Sequence, residues 1–175
     1  MKMAILGDLH DNLRHLNVVI DEINKIGVDL VAFTGDFDMP FTMRAFTRFQ
    51  SPIKAVLGNG DPDIQKFEYQ LDKLDVLKNL DLDISFRFQD FKFDGKRVGI
   101  FHGDDDNLNK VLVECQLFDV LCIGHNHLPK IKKEGKTLVV NPGSLVGWML
   151  ERGNMPITYA IYNSETEEAV LHEMR

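Results

Sequence analysis

A chain of 175 residues with 44 % apolar and 27 % charged side chains, 13 glycines and 6 prolines has the composition of an ordinary globular protein, which excludes fibrous and disordered classes. Its length suits one domain covering residues 1–175. The net charge of −7 opposes binding to duplex nucleic acid or an acidic membrane surface, because the longest basic run, Lys130 to Lys136, carries Glu134 inside it.

Met1 leads straight into an apolar run, Met3 to Leu6, which predicts a first strand rather than a signal sequence. With no apolar run long enough to cross a bilayer, the expected location is the cytoplasm. Leu13, Leu16, Val19, Ile20, Ile23 and Ile26 then recur at helical spacing, with Asn12 as N-cap and Gly27 in the position a left-handed cap prefers. Arg14 and His15, on the first turn, are expected at the surface.

A second strand, Leu30 to Phe33, a short helix over Thr42 to Phe49 and a third strand, Ile53 to Leu57, complete a βαβαβ pattern, which implies a parallel sheet covered by helices. Asp61-Pro62 predicts an N-cap and first helical position, opening a helix toward Leu71 and Leu74. Phe86 and Phe88 alternate with Arg87 and Gln89, and the phase shifts at Asp90. That pattern predicts a hairpin or bulged antiparallel strand within Ile84 to Phe93, followed by Val98 to Phe101.

Asp104-Asp105-Asp106 reads as a solvated loop capping a helix over Asn109 to Phe118, and Val120 to Ile123 as a buried strand. The remainder contains strand-like pieces of mixed or antiparallel pairing, with His172 on the surface and Trp148 either in core or lining a pocket. Cys115 and Cys122 each lie in an apolar stretch and read as buried free thiols.

Five predicted strands end in a glycine beside a potential metal ligand: Gly7-Asp8, Gly35-Asp36, Gly58-Asn59, His102-Gly103 and Gly124-His125. In open α/β sheets ligands bind outside the carboxyl ends of the strands, so these ends are expected to converge on one crevice. Asp8 and His10, like His125 and His127, are two residues apart, a spacing that in extended chain turns both side chains to one side.

The set Asp8, His10, Asp36, Asn59, His102, His125 and His127 combines carboxylate, imidazole and amide without thiolate. That mixture suits Mn²⁺ first, with Ni²⁺, Zn²⁺, Fe²⁺ or Co²⁺ as alternatives, whereas Ca²⁺ prefers oxygen alone and structural zinc brings cysteines. Seven donors exceed what one ion requires, so two ions are expected, the arrangement used for in-line displacement at phosphorus.

The blocks Gly7-Asp8-Leu9-His10, Gly35-Asp36, Gly58-Asn59-Gly60-Asp61, His102-Gly103 and Gly124-His125-Asn126-His127, in this order, resemble the calcineurin-like metallophosphoesterase superfamily. The Asn141-Pro142-Gly143-Ser144 segment resembles the tail of its small prokaryotic phosphodiesterase branch. Four of the six histidines fall within these blocks.

The resemblance implies a four-layer α/β sandwich, two mixed β-sheets flanked by helices. It also implies one ion on Asp8, His10, Asp36 and His127 and a second on Asp36, Asn59, His102 and His125, with Asp36 bridging. A hydroxide bridging the two ions would then attack a small phosphodiester, the expected substrate, with Asp36, Asn59 and Asp61 as the catalytic candidates. Many members carry histidine directly after the Asn59 equivalent to protonate the leaving oxygen. Gly60 stands there in this chain, which favours substrates with good leaving groups and leaves Asp61 as a partial substitute. Asn126 fits either a turn or a substrate contact.

The nearest enzymatic alternative is a phosphomonoester or nucleotide phosphatase. The rival from another class is a protein-binding scaffold, since the superfamily includes a retromer subunit of similar size. A complete ligand set favours the enzyme, as monomer or homodimer.

Overall fold

In the first strand, β1 (Lys2–Leu6), Met3 and Ile5 face one way and Ala4 and Leu6 the other, and all four are buried. A strand buried on both faces must lie between two layers, and the computed structural model of this chain shows both. The structure describes residues 1–73, 75–149 and 152–174; Leu74, expected near a helix end, lies outside them.

Helix α1 (Leu13–Ile26) buries Leu16, Val19, Ile20 and Ile23, one stripe at helical spacing. Each such side chain contributes roughly 1.5–3 kcal/mol of transfer free energy. Asn12 Oδ1 accepts from His15 N at 3.2 Å, and Gly27 ends the helix at φ 70°. Strand β2 (Leu30–Phe33) returns parallel to β1. After it come a 3₁₀ turn at Pro40–Thr42, α2 (Met43–Phe46), β3 (Ile53–Val56) and α3 (Ile64–Lys73).

Next are β4 (Leu82–Ser85), β5 (Phe88–Phe93), β6 (Lys96–Phe101), α4 (Asp106–Glu114), β7 (Val120–Ile123), β8 (Lys130–Glu134) and β9 (Thr137–Asn141). A small hairpin, β10 (Trp148–Met149) with β11 (Gly153–Asn154), precedes β12 (Thr158–Asn163) and β13 (Glu168–Glu173).

The first sheet has the order β13-β12-β1-β2-β3-β4 and the second β5-β6-β7-β9-β8. In the first sheet β1 to β4 run parallel and β12 and β13 pair antiparallel, and in the second β6, β7 and β9 run parallel between antiparallel β5 and β8, so both sheets are mixed. One core lies between the first sheet and α1–α3, where Phe33, Phe37, Phe46 and Phe67 pack with ring centroids 4.2–5.3 Å apart. The second joins the sheets through Met3, Ile5, Val98, Ile100, Val120 and Val140. Against the far face of the second sheet α4 forms a thin outer layer with no buried residue.

Several sequence expectations need correction. Ile84 to Phe93 is not one hairpin or bulged strand: β4 adds parallel to β3 in the first sheet, and the chain crosses at Phe86-Arg87 to enter the second as β5. The hairpin is β5–β6, closed by Asp94-Gly95 with φ of 49° and 78°, the two left-handed residues of a type I′ turn. Helix α4 starts three residues earlier than expected because Asp105 caps it, accepting from Asn107 N and Leu108 N at 3.0 Å. Cys122 is buried but Cys115 is exposed, since α4 presents it outward; both are free thiols.

His15 is half-buried, with Nδ1 donating to Leu145 O at 2.7 Å, whereas Arg14 is exposed. His172 is half-buried and stacks on Tyr159. Trp148 belongs to neither core and is 51 % exposed. Among the described residues no helix is long and apolar enough to cross a membrane.

Candidate metal centre

Because β1, β2 and β3 run parallel in one sheet and β6 and β7 in the other, their carboxyl ends bring Asp8, Asp36, Asn59, His102 and His125 to one edge. The turns that follow are tight. Asp8, His10, Asp36, Asp38, His125 and His127 all hold positive φ, between 44° and 70°. Such backbone costs about 1–3 kcal/mol per residue and persists only where its surroundings enforce it. Asp8 N donates to Gly35 O, and Leu9 N and His10 N to Asp36 O, lacing the first two turns together.

Two donor groups result. The atoms of Asp8, His10 and His127 lie within 4.8 Å of one another, and so do those of Asp8, Asp36 and His102. Asp36 Oδ2 stands 3.5 Å from His10 Nε2 and 3.3 Å from His102 Nε2, between one histidine of each group. Asn59 Oδ1 is 3.0 Å from His102 Nε2. The structure thus gathers six of the seven expected ligand side chains. The imidazole of His125 is exposed at the rim, with its ring centroid 5.1 Å from that of His102, while its backbone N–H donates to Asp8 at 3.1 Å.

The histidines are held so that acceptors face acceptors. His102 Nδ1 donates to Thr34 O at 2.8 Å and His10 Nδ1 to Asp38 Oδ1 at 3.1 Å, which leaves each Nε2 lone pair turned into the site. There the lone pairs meet carboxylate and amide oxygens and, at 3.1 Å, the Nε2 of His127. Positive charge relieves that crowding, so the donor set fits divalent cations.

In the metal-free fold, protonation relieves the same crowding. Burial pushes the fully enclosed Asp8 carboxyl up to about 8, against the pull of His102. Burial also acts to raise Asp36, but the hydrogen bond and charge of His102, the Gly60 N–H and His10 outweigh it and hold the carboxyl below its usual value. His102 is raised, burial opposing and Asp36 prevailing. His127 is pushed down to about 4 by burial and by neighbouring His10, and therefore offers a free imidazole at neutral pH.

Asp61 does not cap α3, which starts at Ile64 behind Asp63, whose carboxylate accepts from Gln65 N at 2.9 Å. Instead Asp61 Oδ2 accepts from Asp36 N (2.9 Å) and Gly58 N (2.8 Å), and Oδ1 from Asp38 N (2.8 Å). It is a positioning residue tying two ligand-bearing loops, and burial pushes its carboxyl up to about 6. Gly60 has a physical cause as well: a Cβ there would lie 2.7 Å from Asp38 Oδ1 and 3.2 Å from Asp36 Oδ1, while Gly60 N donates to Asp36 Oδ1 at 2.8 Å.

Asp38 was not among the sequence candidates, although it repeats the two-residue spacing of Asp8 and His10. The Thr34 carbonyl leaves no signal in sequence. Asn126 serves the turn, its Oδ1 accepting from Leu128 N and from Asn141 Nδ2. Of the acidic run, Asp105 caps α4 and Asp104 pairs with Arg87 at 2.7 Å.

Two mixed sheets whose parallel strands deliver aspartates and histidines to a shared edge frame a candidate metal site, and the family that the chain matches makes it a phosphoesterase, a class of hydrolase. The chain belongs to the calcineurin-like phosphoesterase superfamily, whose domain matches residues 1–167. It is 30 % identical over 149 residues to Phosphodiesterase MJ0936 of Methanocaldococcus jannaschii, covering 85 % of this chain and 87 % of that one. A solved archaeal phosphodiesterase superposes with a TM-score of 0.86 at 26 % identity, with 99 % of each chain covered. Vps29 of Entamoeba histolytica, solved with Zn²⁺, shares the fold at a TM-score of 0.70 and 18 % identity, covering 99 % of this chain and 91 % of that one.

Proposed function

We propose that this protein is a dinuclear metal-dependent phosphodiesterase that hydrolyses a small phosphodiester. The observation that carries the reading is the place of Asp36 Oδ2 between His10 and His102, one from each donor group, where a single carboxylate can serve two ions. The relatives named phosphodiesterases support the substrate class. Asp8, His10, Asp36 and His127 would hold one ion and Asp36, Asn59, His102 and His125 the other, with His125 turning inward from the rim. When bound, the ions supply Lewis acidity that activates water and neutralises phosphoryl oxygens.

The chain's own residues set the terms of the reaction. Asp38 and the Thr34 carbonyl fix the tautomers of His10 and His102, and Asp61 fixes the loops carrying Asp36 and Asn59. Water adds to phosphorus and gives up a proton to solvent as the bond to the ester oxygen breaks, and the departing oxygen takes its proton from solvent, since Gly60 places no imidazole beside Asn59. Help of that kind is worth roughly 10²–10⁴-fold, so its absence selects leaving groups of low pKa such as aryloxides. The expected resident ion is Mn²⁺, and Ni²⁺, Zn²⁺, Fe²⁺ and Co²⁺ suit the same donors.

The test compares an aryl phosphodiester with an aryl phosphomonoester after chelation and addition of each metal singly. Faster diester than monoester hydrolysis, lost in Asp36→Asn, is expected. Equal or greater monoester turnover makes the protein a phosphomonoesterase instead, and no turnover with any metal moves it to the scaffold class.

A further inference from the structure

The first sheet ends at β13, whose outer edge pairs with no strand among the described residues. The strand is in register with β12 throughout, from Glu168 with Asn163 to Glu173 with Thr158, without a bulge. Neither proline nor lysine guards it, whereas β8, the edge of the second sheet alongside, carries Lys130, Lys132 and Lys133. An unguarded edge is a template for another strand.

The two faces of β13 differ. Ala169 and Leu171 turn inward and pack on the core between the sheets, while Glu168 is exposed and Val170 is 57 % exposed. His172 is stacked on Tyr159, its neighbour across the ladder, with ring centroids 5.1 Å apart. Both rings border an open cavity of about 810 Å³ against Glu22 and Lys25 of α1, so this face is open to a second molecule. Met174 N donates to Ile157 O at 2.9 Å in continuation of the same register. Hydrogen bonding alternates along an antiparallel ladder, so Glu168, Val170 and His172 bond to β12, and the N–H and C=O groups of Ala169 and Leu171 face the free edge.

We propose that β13 pairs antiparallel with β13 of a second copy of this chain, across a two-fold axis at Val170. The run Glu168-Ala169-Val170-Leu171-His172 is self-complementary about that axis. On the outer face Val170 meets the partner's Val170, and Glu168 meets the partner's His172, whose imidazole can donate to a carboxylate whether neutral or charged. On the inner face Ala169 meets the partner's Leu171, and the two exchange both backbone hydrogen bonds through the groups left free. Moving the axis to Ala169 or Leu171 opposes Val170 to the partner's Glu168 or His172 instead. The charge and apolar matches therefore select one register, in which the first sheet continues from one protomer into the other.

Sedimentation of the full chain from about 5 to about 500 µM should show a monomer–dimer equilibrium with a Kd of about 10–100 µM, as suits a contact of one strand pair. Val170→Lys sets two ammonium groups against each other at the axis and should leave a monomer, with circular dichroism confirming the fold. A second variant reads the register directly. With exposed Cys115 replaced by serine, Val170→Cys places two thiols on Cα atoms about 4.5 Å apart and should form a disulfide-linked dimer on mild oxidation. Glu168→Cys in the same background sets them roughly 14 Å apart and should not.

A wild type that stays monomeric at every concentration, or a dimer that survives Val170→Lys, overturns the proposal. So does equal cross-linking of the two cysteine variants, the mark of random collision, or none in Val170→Cys.

Discussion

Replacing Asp61 separates a positioning role from proton donation. Its carboxylate accepts three backbone N–H groups, from Asp36, Asp38 and Gly58. Asp61→Ala strands all three, each at about 1–3 kcal/mol, while relieving the burial strain that pushes the carboxyl up to about 6. The net loss expected is about 3–5 kcal/mol, or roughly 6–15 °C in Tm for a chain of this size.

In Asp61→Asn one amide oxygen can keep the bonds from Asp36 and Gly58, leaving the Asp38 N–H facing an NH₂ group, at about 1–2 kcal/mol. Urea denaturation in the presence of chelator measures these losses without the contribution of bound metal. Metal affinity should fall in the same order, alanine below asparagine below wild type, by about 10–100-fold at the extreme. A proton donor would behave differently, losing turnover equally in both variants with stability intact. Asp61→Ala within about 0.5 kcal/mol of wild type refutes the positioning role.

Two further outcomes follow from the site's electrostatics and packing. Folding raises the Asp8 carboxyl from 3.8 to about 8, so its contribution to metal-free stability is fully present below about pH 4 and is lost as pH rises through about 8. Between about pH 6.5 and 8 His127 is already neutral in the fold, and raised His102 acts in the same direction as Asp8. Urea midpoints in chelator should therefore fall across that window, and calorimetry at pH 7 should show proton release on metal uptake; a rising midpoint contradicts this. Gly35→Ala places a Cβ 2.7 Å from Gly58 N and 2.9 Å from His102 Nδ1 at a φ of 104°. It should lower stability by about 3 kcal/mol in thermal denaturation, and a loss below about 1 kcal/mol would show that the loops can shift apart.

What sequence could reveal was what is local along the chain. The buried alternation of β1, the Asn12 and Gly27 caps and the five glycine-flanked strand ends each depend on a few neighbouring residues, and the parallel sheets then bring those ends to one edge. Asp61 misled because aspartate before proline is a sound capping signal, and only the tertiary path shows its oxygens claimed by amides across the site. The passage from β4 into β5 was hidden for a similar reason, since alternation gives a strand its faces but does not say which sheet it joins. Asp94-Gly95 is a hairpin signal in its own right, but the phase shift at Asp90 drew the expected turn into Ile84 to Phe93 instead. Cys115 sits in an apolar stretch, yet α4 leaves it in solvent because the helix buries none of its residues.

Titration of metal-free protein with Mn²⁺, with continuous recording of aryl phosphodiester hydrolysis, tests the central claim most directly. The account predicts that activity rises to a plateau at two equivalents per chain and is abolished in Asp36→Asn, whose neutral amide cannot serve both histidine groups. Full activity in the presence of chelator, or a plateau at two bound ions with no hydrolysis, would contradict it.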